Sequence, residues 1–207
     1  MLFYAIGAAL AGTAIYANLP TKYTLGHIVP TVTYLAKGRL LPINKEGQAV
    51  ETGEITAGDL FEKSPVLLAV IRRPGCMFCR REAKYLSDMK DKLDAKNVKL
   101  IGVVHETKGV KEFQPYLSGD VFFDPERHFY GPNQRWLPLW MGFMRLSTYT
   151  NMMKTKQEKF EGNTEGEGRL LGGVYLIKGN EMVFSHLERE WGDAVDPKQV
   201  EEALNKL

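Results

Sequence analysis

Residues 65–81 read Pro65-Val66-Leu67-Leu68-Ala69-Val70-Ile71-Arg72-Arg73-Pro74-Gly75-Cys76-Met77-Phe78-Cys79-Arg80-Arg81, and the fold is decided within them. Six consecutive apolar residues, rich in branched side chains, follow Pro65. A run of that length without polar alternation predicts a strand buried on both faces, as at the centre of a sheet covered by helices. Arg72-Arg73-Pro74-Gly75 ends the strand, and Pro74 with Gly75 permits a tight turn. Cys76 falls at that turn. A helix is predicted over 77–95, with Ala83, Leu86, Met89, Lys90 and Leu93 on a mixed apolar face.

Downstream, the apolar stretch 98–104 predicts the next strand. A helical turn begins near Val110, 120–123 reads as a short strand, and 125–130 as a helical turn. Residues 139–155 are apolar and Met-rich and predict a helix. Residues 170–177 and 182–187 predict two strands around Gly179-Asn180, a two-residue hairpin signal. Pro197 sits in the first turn of a last helix that ends near Leu207. Strand, helix, strand, then hairpin and terminal helix is the thioredoxin-like layout, an α/β class with a central mixed sheet flanked by helices.

Upstream, Thr56 reads as the N-cap of a short helix through Lys63. Pro20, Pro30 and Pro42, with Gly26, Gly38, Gly47 and Gly53, punctuate residues 18–53. That segment predicts a connecting arm with one short edge strand at 40–43. Residues 2–21 carry no charged side chain. As a helix, 2–17 would span about 24 Å, short of the roughly 30 Å hydrocarbon core of a bilayer. Three readings compete for it. It is a short membrane anchor, with Tyr4 and Tyr16 near its ends. It is a signal peptide, although no Lys or Arg precedes the apolar run. Or it is an apolar N-terminal helix docked on the domain. Membrane contact through residues 2–17 is preferred. The expected organisation is an apolar segment 1–20, a connecting arm 21–55 and a thioredoxin-like domain 56–207.

The chain has 207 residues, enough for one domain and a short appendage. A net charge of +2 gives no reason to propose a nucleic-acid partner. Both cysteines lie in one Cys-x-x-Cys. A disulfide-stapled secreted fold needs more bridges, and a structural zinc site needs four ligands. His27, His105, His128 and His186 are scattered without ligand spacing, so neither metal nor cofactor is expected. A redox dithiol uses both cysteines.

Position turns that pair into chemistry. A helix start carries unpaired N–H groups and the positive end of the macrodipole, and both favour a thiolate. Arg72, Arg73, Arg80 and Arg81 add positive charge, and Arg73 and Arg80 are the expected thiolate stabilisers. Together these lower a cysteine pKa by one to several units from about 8.5. Cys79 lies one turn on, on the same helix face. Cys76 then attacks an oxidised substrate and Cys79 resolves the product to an internal disulfide. With a peroxide, Cys76 passes through sulfenic acid.

Other features read more plainly. Residues 136–153 are rich in Met and aromatics. They predict a core helix first, and the lining of an apolar pocket beside the dithiol second. Residues 162–168, with three glycines, predict a flexible turn into the next strand rather than a phosphate loop, since two glutamates would repel phosphate. Glu165, Glu167 and His105 are weaker candidates for proton transfer.

The stretch Arg72-Arg73-Pro74-Gly75-Cys76-Met77-Phe78-Cys79-Arg80 resembles the active-site segment of the peroxiredoxin-like 2 family. Phe113-Gln114-Pro115-Tyr116, Phe129-Tyr130-Gly131-Pro132, Gly142-Phe143-Met144-Arg145-Leu146, and 162–168 followed by Leu171-Gly172-Gly173-Val174 match it in the same order. The resemblance runs over about residues 56–192. It implies a thioredoxin-like fold, a thiol-dependent antioxidant or redox-regulatory role, and Cys76 with Cys79 as the redox pair. It also implies a thiol electron donor such as thioredoxin or glutathione, and a peroxide as substrate. A relative in the family is a prostamide and prostaglandin F synthase, so a lipid endoperoxide is the alternative substrate. A non-enzymatic, membrane-associated binding module is the further alternative. Two positions set the chain apart. Peroxiredoxins place Thr or Ser three residues before the attacking cysteine, where this chain has Arg73. Thioredoxins place a proline before the strand facing the dithiol, and 171–173 has none. A cytoplasmic location is expected, with membrane association or secretion as alternatives.

Overall fold

The unbroken apolar run at 66–71 makes the most buried strand of the molecule, and the other elements are arranged about it. A computed structural model describes the backbone of residues 1–207 and every side chain except that of Leu2. In chain order the elements are α1 (Leu2–Asn18), α2 (Val32–Leu35), β1 (Arg39–Pro42), β2 (Ile55–Thr56), α3 (Ala57–Lys63), β3 (Val66–Ile71), α4 (Met77–Ser87), α5 (Lys90–Ala95), β4 (Lys99–Val104), α6 (Val110–Phe113), β5 (Asp120–Phe123), α7 (Leu139–Met144), α8 (Leu146–Gln157), β6 (Gly173–Lys178), β7 (Glu181–Leu187) and α9 (Pro197–Leu204). The strands form one sheet in the order β2-β1-β5-β4-β3-β6-β7. β3 pairs in parallel with β4 and antiparallel with β6, and β4 pairs in parallel with β5. This mixed sheet with helices on its faces is the expected thioredoxin-like fold.

Successive side chains of a strand point to opposite faces, so β3 feeds two cores. Leu67, Ala69 and Ile71 join a cluster with Cys76, Cys79, Ala83 and Leu86 of the α4 side. Val66, Leu68 and Val70 join one with Val32, Leu35, Leu40 and Phe61. The dithiol is thus part of one core face and not an attachment to it. Thr56 caps α3 in a reciprocal capping box with Asp59, as its sequence implies.

Four expectations shift. The helix over 77–95 is two helices: the Ser87 hydroxyl accepts from Ser118 N–H and shares its one hydrogen between Ala83 O and Tyr116 O, which ties the backbone there to a distant segment. The helix over 139–155 is also two. Arg145 breaks it with an extended ψ of 123°, and its guanidinium donates to Glu190 and to Leu19 O. The strand expected over 170–177 begins at Gly173. Leu170 makes only an isolated bridge to Trp136. Residues 21–55, expected as a connecting arm, put β1 inside the sheet between β2 and β5, and Val32, Leu35 and Leu40 in the core.

The N-terminal apolar helix is present as α1. Ala17 is buried in a small cluster with Leu137, Met141 and Leu171, while Phe3, Tyr4, Leu10 and Ile15 are exposed. Among the described residues no helix is long and apolar enough to cross a membrane.

Candidate active site

Cys76 is the N-cap residue of α4, directly after the turn that leaves β3. Both cysteines are buried free thiols. The Cys76 thiol is held well below its ordinary pKa. The Cys79 thiol beside it contributes first by hydrogen bonding, then the Arg72 and Arg73 guanidiniums, while burial opposes them. The Cys79 thiol is pushed well up by the same neighbour, which needs its proton, and by burial. One sulfur is therefore prepared as a thiolate and the other as its proton-bearing partner.

Arg72 makes the closest cationic contact. Its Nη2 donates to Cys76 Sγ at 3.3 Å, its Nε to Glu188 Oε1 at 3.0 Å and its Nη1 to Gly168 O at 3.1 Å. Its guanidinium also lies 6.0 Å from the Trp191 ring centroid. Glu188 is held in turn: Gly172 N–H donates to its other carboxylate oxygen, and Arg135 donates to Glu188 O and Gly172 O. A side chain at Gly172 would collide with Val70 O, so the close approach of these backbones requires glycine where a proline was looked for. His105 is buried and donates from Nε2 to Arg72 O at 2.9 Å. Its pKa is lowered by burial, so it is a neutral ring that positions the Arg72 backbone.

The expected stabilisers part company. Arg73 stays close enough to depress Cys76, and its Nη2 donates to Asn163 O at 2.9 Å. Arg80 donates to Pro74 O at 3.3 Å and Glu161 O at 3.1 Å, and stacks over Tyr116. It fastens the turn instead of reaching the sulfur. Arg81 ties α4 to Thr155 of α8 and to Gly192 O. Sequence reasoning missed Arg72 as the direct partner and missed Glu188 altogether. Their one signal is that each is a charged residue immediately after a strand, buried in the case of Arg72 and half-buried in the case of Glu188.

Residues 161–168 fold over the turn. Asn163 N–H donates to Gly75 O at 2.7 Å, and a side chain at Gly162 would strike the backbone at Met77 and Gly75. Glu167 N–H donates to the Glu106 carboxylate, and the Glu167 side chain pairs with Arg169. Glu165 faces Lys108 at 4.0 Å. Glu165 is thus engaged elsewhere, whereas Glu167, paired with Arg169, stays on the wall of the cavity that Cys76 lines.

A cavity of about 880 Å³ opens beside Cys76. Cys76, Phe143, Tyr149, Met152 and Trp191 line it, with Arg72, Arg73 and Arg169 as cations and Glu167 as the one anion. Cys79, also buried, is not among the lining residues. The stretch 136–153, read first as a core helix, contributes this wall: Leu139, Phe143 and Tyr149 line the cavity and stay exposed. The exposed apolar residues on two short helices, not a continuous buried one, overturn the core reading. Among the described residues no cluster of His, Cys, Asp or Glu could hold a metal ion.

The family described as AhpC/TSA antioxidant enzyme matches residues 85–190, and the AhpC/TSA family matches residues 39–126, which include both cysteines. Peroxiredoxin-like 2A of Mus musculus is 37% identical over 98% of this chain and 91% of its own length. Peroxiredoxin-like 2A of Danio rerio is 38% identical over 98% and 94%. Among solved structures, AhpC of Enterococcus faecalis superposes with a TM-score of 0.52 at 9% identity, covering 84% of this chain and 91% of that one. That last likeness speaks for the fold alone. The sequence matches carry further, and they place the chain in the peroxiredoxin-like 2 family, within the thiol-dependent AhpC/TSA antioxidant proteins.

Proposed function

We propose that the chain reduces apolar peroxides, with Cys76 as attacking sulfur and Cys79 as resolving sulfur, through an internal disulfide. The observation that carries this reading is the asymmetry of the pair. Cys76 lines the cavity and bonds to Arg72, whereas Cys79 is not among the lining residues and has a raised pKa. The Cys76 thiolate attacks the terminal oxygen of a hydroperoxide and the O–O bond breaks. Cys76 becomes a sulfenic acid, and the alkoxide takes a proton and leaves as an alcohol. Cys79, giving up its proton, attacks the Cys76 sulfur. Water leaves and the disulfide closes. Two thiol equivalents from thioredoxin or glutathione then return both electrons, the first attacking the Cys76 sulfur because it faces the cavity.

A second reading takes a cyclic lipid endoperoxide, favoured by the size and apolar wall of the cavity. There both oxygens stay in one molecule, the internal disulfide forms without water, and the product is a diol. Arg73, which lines the cavity, takes the sequence position of the peroxide-holding hydroxyl, so tight holding of hydrogen peroxide is not expected in either reading.

The test is turnover with hydrogen peroxide, a fatty-acid hydroperoxide and a cyclic lipid endoperoxide, with each thiol donor. Activity should be highest on a lipid substrate and absent in Cys76→Ser. Cys79→Ser should accumulate a hydroperoxide-induced sulfenic acid on Cys76 that dimedone traps. Turnover that survives Cys76→Ser, or full cycling by Cys79→Ser, would remove the mechanism.

A further inference from the structure

We propose that α1 and the outward faces of α7 and α8 form one surface that docks on an anionic lipid bilayer, with the mouth of the Cys76 cavity turned towards it. The docking stands on the surface itself. Entry of a substrate from the bilayer rests on the reading of the dithiol given above.

Three observations carry it. The first is continuity. α1 has no charged side chain, and Phe3 and Tyr4 are 87% and 85% exposed. A helix apolar around its circumference is ordinarily covered. Yet α1 is not loose. Asn18 Nδ2 donates to Met144 O at 2.9 Å, Leu146 N–H donates to Asn18 Oδ1 at 3.0 Å, Arg145 donates to Leu19 O, and Tyr16 stacks on Trp140. Its apolar surface therefore continues onto exposed Trp140, Phe143, Leu146, Tyr149 and Met153. Leu146, Tyr149 and Met153 share one helix stripe. Phe143 and Tyr149 belong at once to this surface and to the cavity wall.

The second observation is charge. No Asp or Glu occurs in residues 1–45 or 127–157, the two segments that build the surface, although the chain has 25 acidic residues. Exposed Lys22 follows α1, and exposed Lys154 and Lys156 end α8. Cations beside an apolar helical face suit anionic headgroups. A second copy of the chain on this face would set like charges against one another. The third is length. Over its 17 residues α1 extends about 26 Å, short of the roughly 30 Å hydrocarbon core, and Tyr16 with Trp140 places at one end the residues favoured at the interface.

The full chain is mixed with phosphatidylcholine vesicles, and with phosphatidylcholine vesicles containing phosphatidylserine, and sedimented. It should co-sediment with the anionic vesicles, less so as salt rises. Acyl-chain bromines should quench its fluorescence, and Trp140→Phe should remove most of that quenching. Ile6→Asp with Leu10→Asp, and separately Leu146→Glu, should each weaken partitioning at least about tenfold, as expected for a charge forced against hydrocarbon. Their Cys76 alkylation rates should stay at the wild-type value, which reports an intact fold. A chain that stays in the supernatant overturns the proposal. So does binding that none of the substitutions weakens, or an oligomer in ultracentrifugation that Leu146→Glu splits. Binding is read without turnover, so peroxide reduction by a chain that ignores vesicles refutes the surface and leaves the dithiol chemistry standing.

Discussion

Arg72 donates through each of its three nitrogens, one to the sulfur and two to groups that hold the guanidinium still. A fixed cation at a helix start is what separates a reactive cysteine from a buried inert one. Arg72→Met should therefore raise the pKa of Cys76 and slow its alkylation by iodoacetamide at neutral pH by about tenfold or more. Arg80→Met should leave the titration midpoint near the wild-type value, since Arg80 donates to Pro74 O and Glu161 O. Matching midpoints for both variants would contradict the assignment. From the sequence, Arg73 and Arg80 are the expected stabilisers among the four arginines flanking the dithiol, and nothing local favours Arg72. What distinguishes Arg72 is Glu188, which lies 116 residues away and is brought near by the β3-β6-β7 pairing. The cysteines were legible because strand end, turn and helix start are all local; their electrostatic partner was not. Glu82 gives a pH dependence at the same scale. Burial first, then Glu188, pushes its carboxyl up to about 8, while it accepts from Val195 N–H. Between the ordinary carboxylate range and about 8 the folded chain holds a proton there that the unfolded chain releases. Stability therefore falls as pH rises through that window. Glu82→Gln should flatten the fall, seen as a smaller loss of the urea midpoint between pH 5 and pH 9 than in the wild type.

The elements that local signals specify came out where expected. Thr56 caps α3 with Asp59, Gly179-Asn180 turns the β6-β7 hairpin, and Pro197 opens α9. The two long helices that periodicity predicts are each interrupted, and both interruptions belong to side chains bonded across the fold. Nothing around Ser87 or Arg145 marks a break, because the competing partners, Tyr116 and Ser118 for one and Glu190 and Leu19 for the other, lie far along the chain. Arg145 does the larger job. Its buried guanidinium joins the end of α1, the α7-α8 junction and the loop at Glu190. Arg145→Ala should lower unfolding stability by about 3 kcal/mol, the scale for removing one partner of a buried ion pair. It should also speed limited proteolysis near Lys22 well beyond the global effect, because α1 loses one of its fastenings. Equal cleavage rates in variant and wild type would show that α1 is held by its other contacts.

Across the whole molecule, the alternation of β3 between two cores was readable from six residues, and with it the layered architecture. The partition of 136–153 was not, since hydrophobicity alone does not say whether an apolar residue faces protein, cavity or solvent. The placement of Cys76 and Cys79 inside one of those cores has a further bearing on the protein's heat stability. Reduced, the site holds Arg72 opposite both a thiolate and Glu188. Oxidised, the thiolate is gone and Arg72, bound to Glu188 and Gly168 O, cannot turn to water. The loop closed by a disulfide between residues three apart is too small to restrict the unfolded chain much. The reduced form should therefore melt at the higher temperature, the reverse of the usual order for a disulfide protein, and the difference should shrink in Arg72→Met. Differential scanning fluorimetry of the two redox forms measures it, and an oxidised form that melts higher would show that the guanidinium does not feel the loss. With the expected sign, each turn of the proposed cycle would pass through a momentarily softer molecule, and the supply of reducing thiol would set how long the protein stays in it.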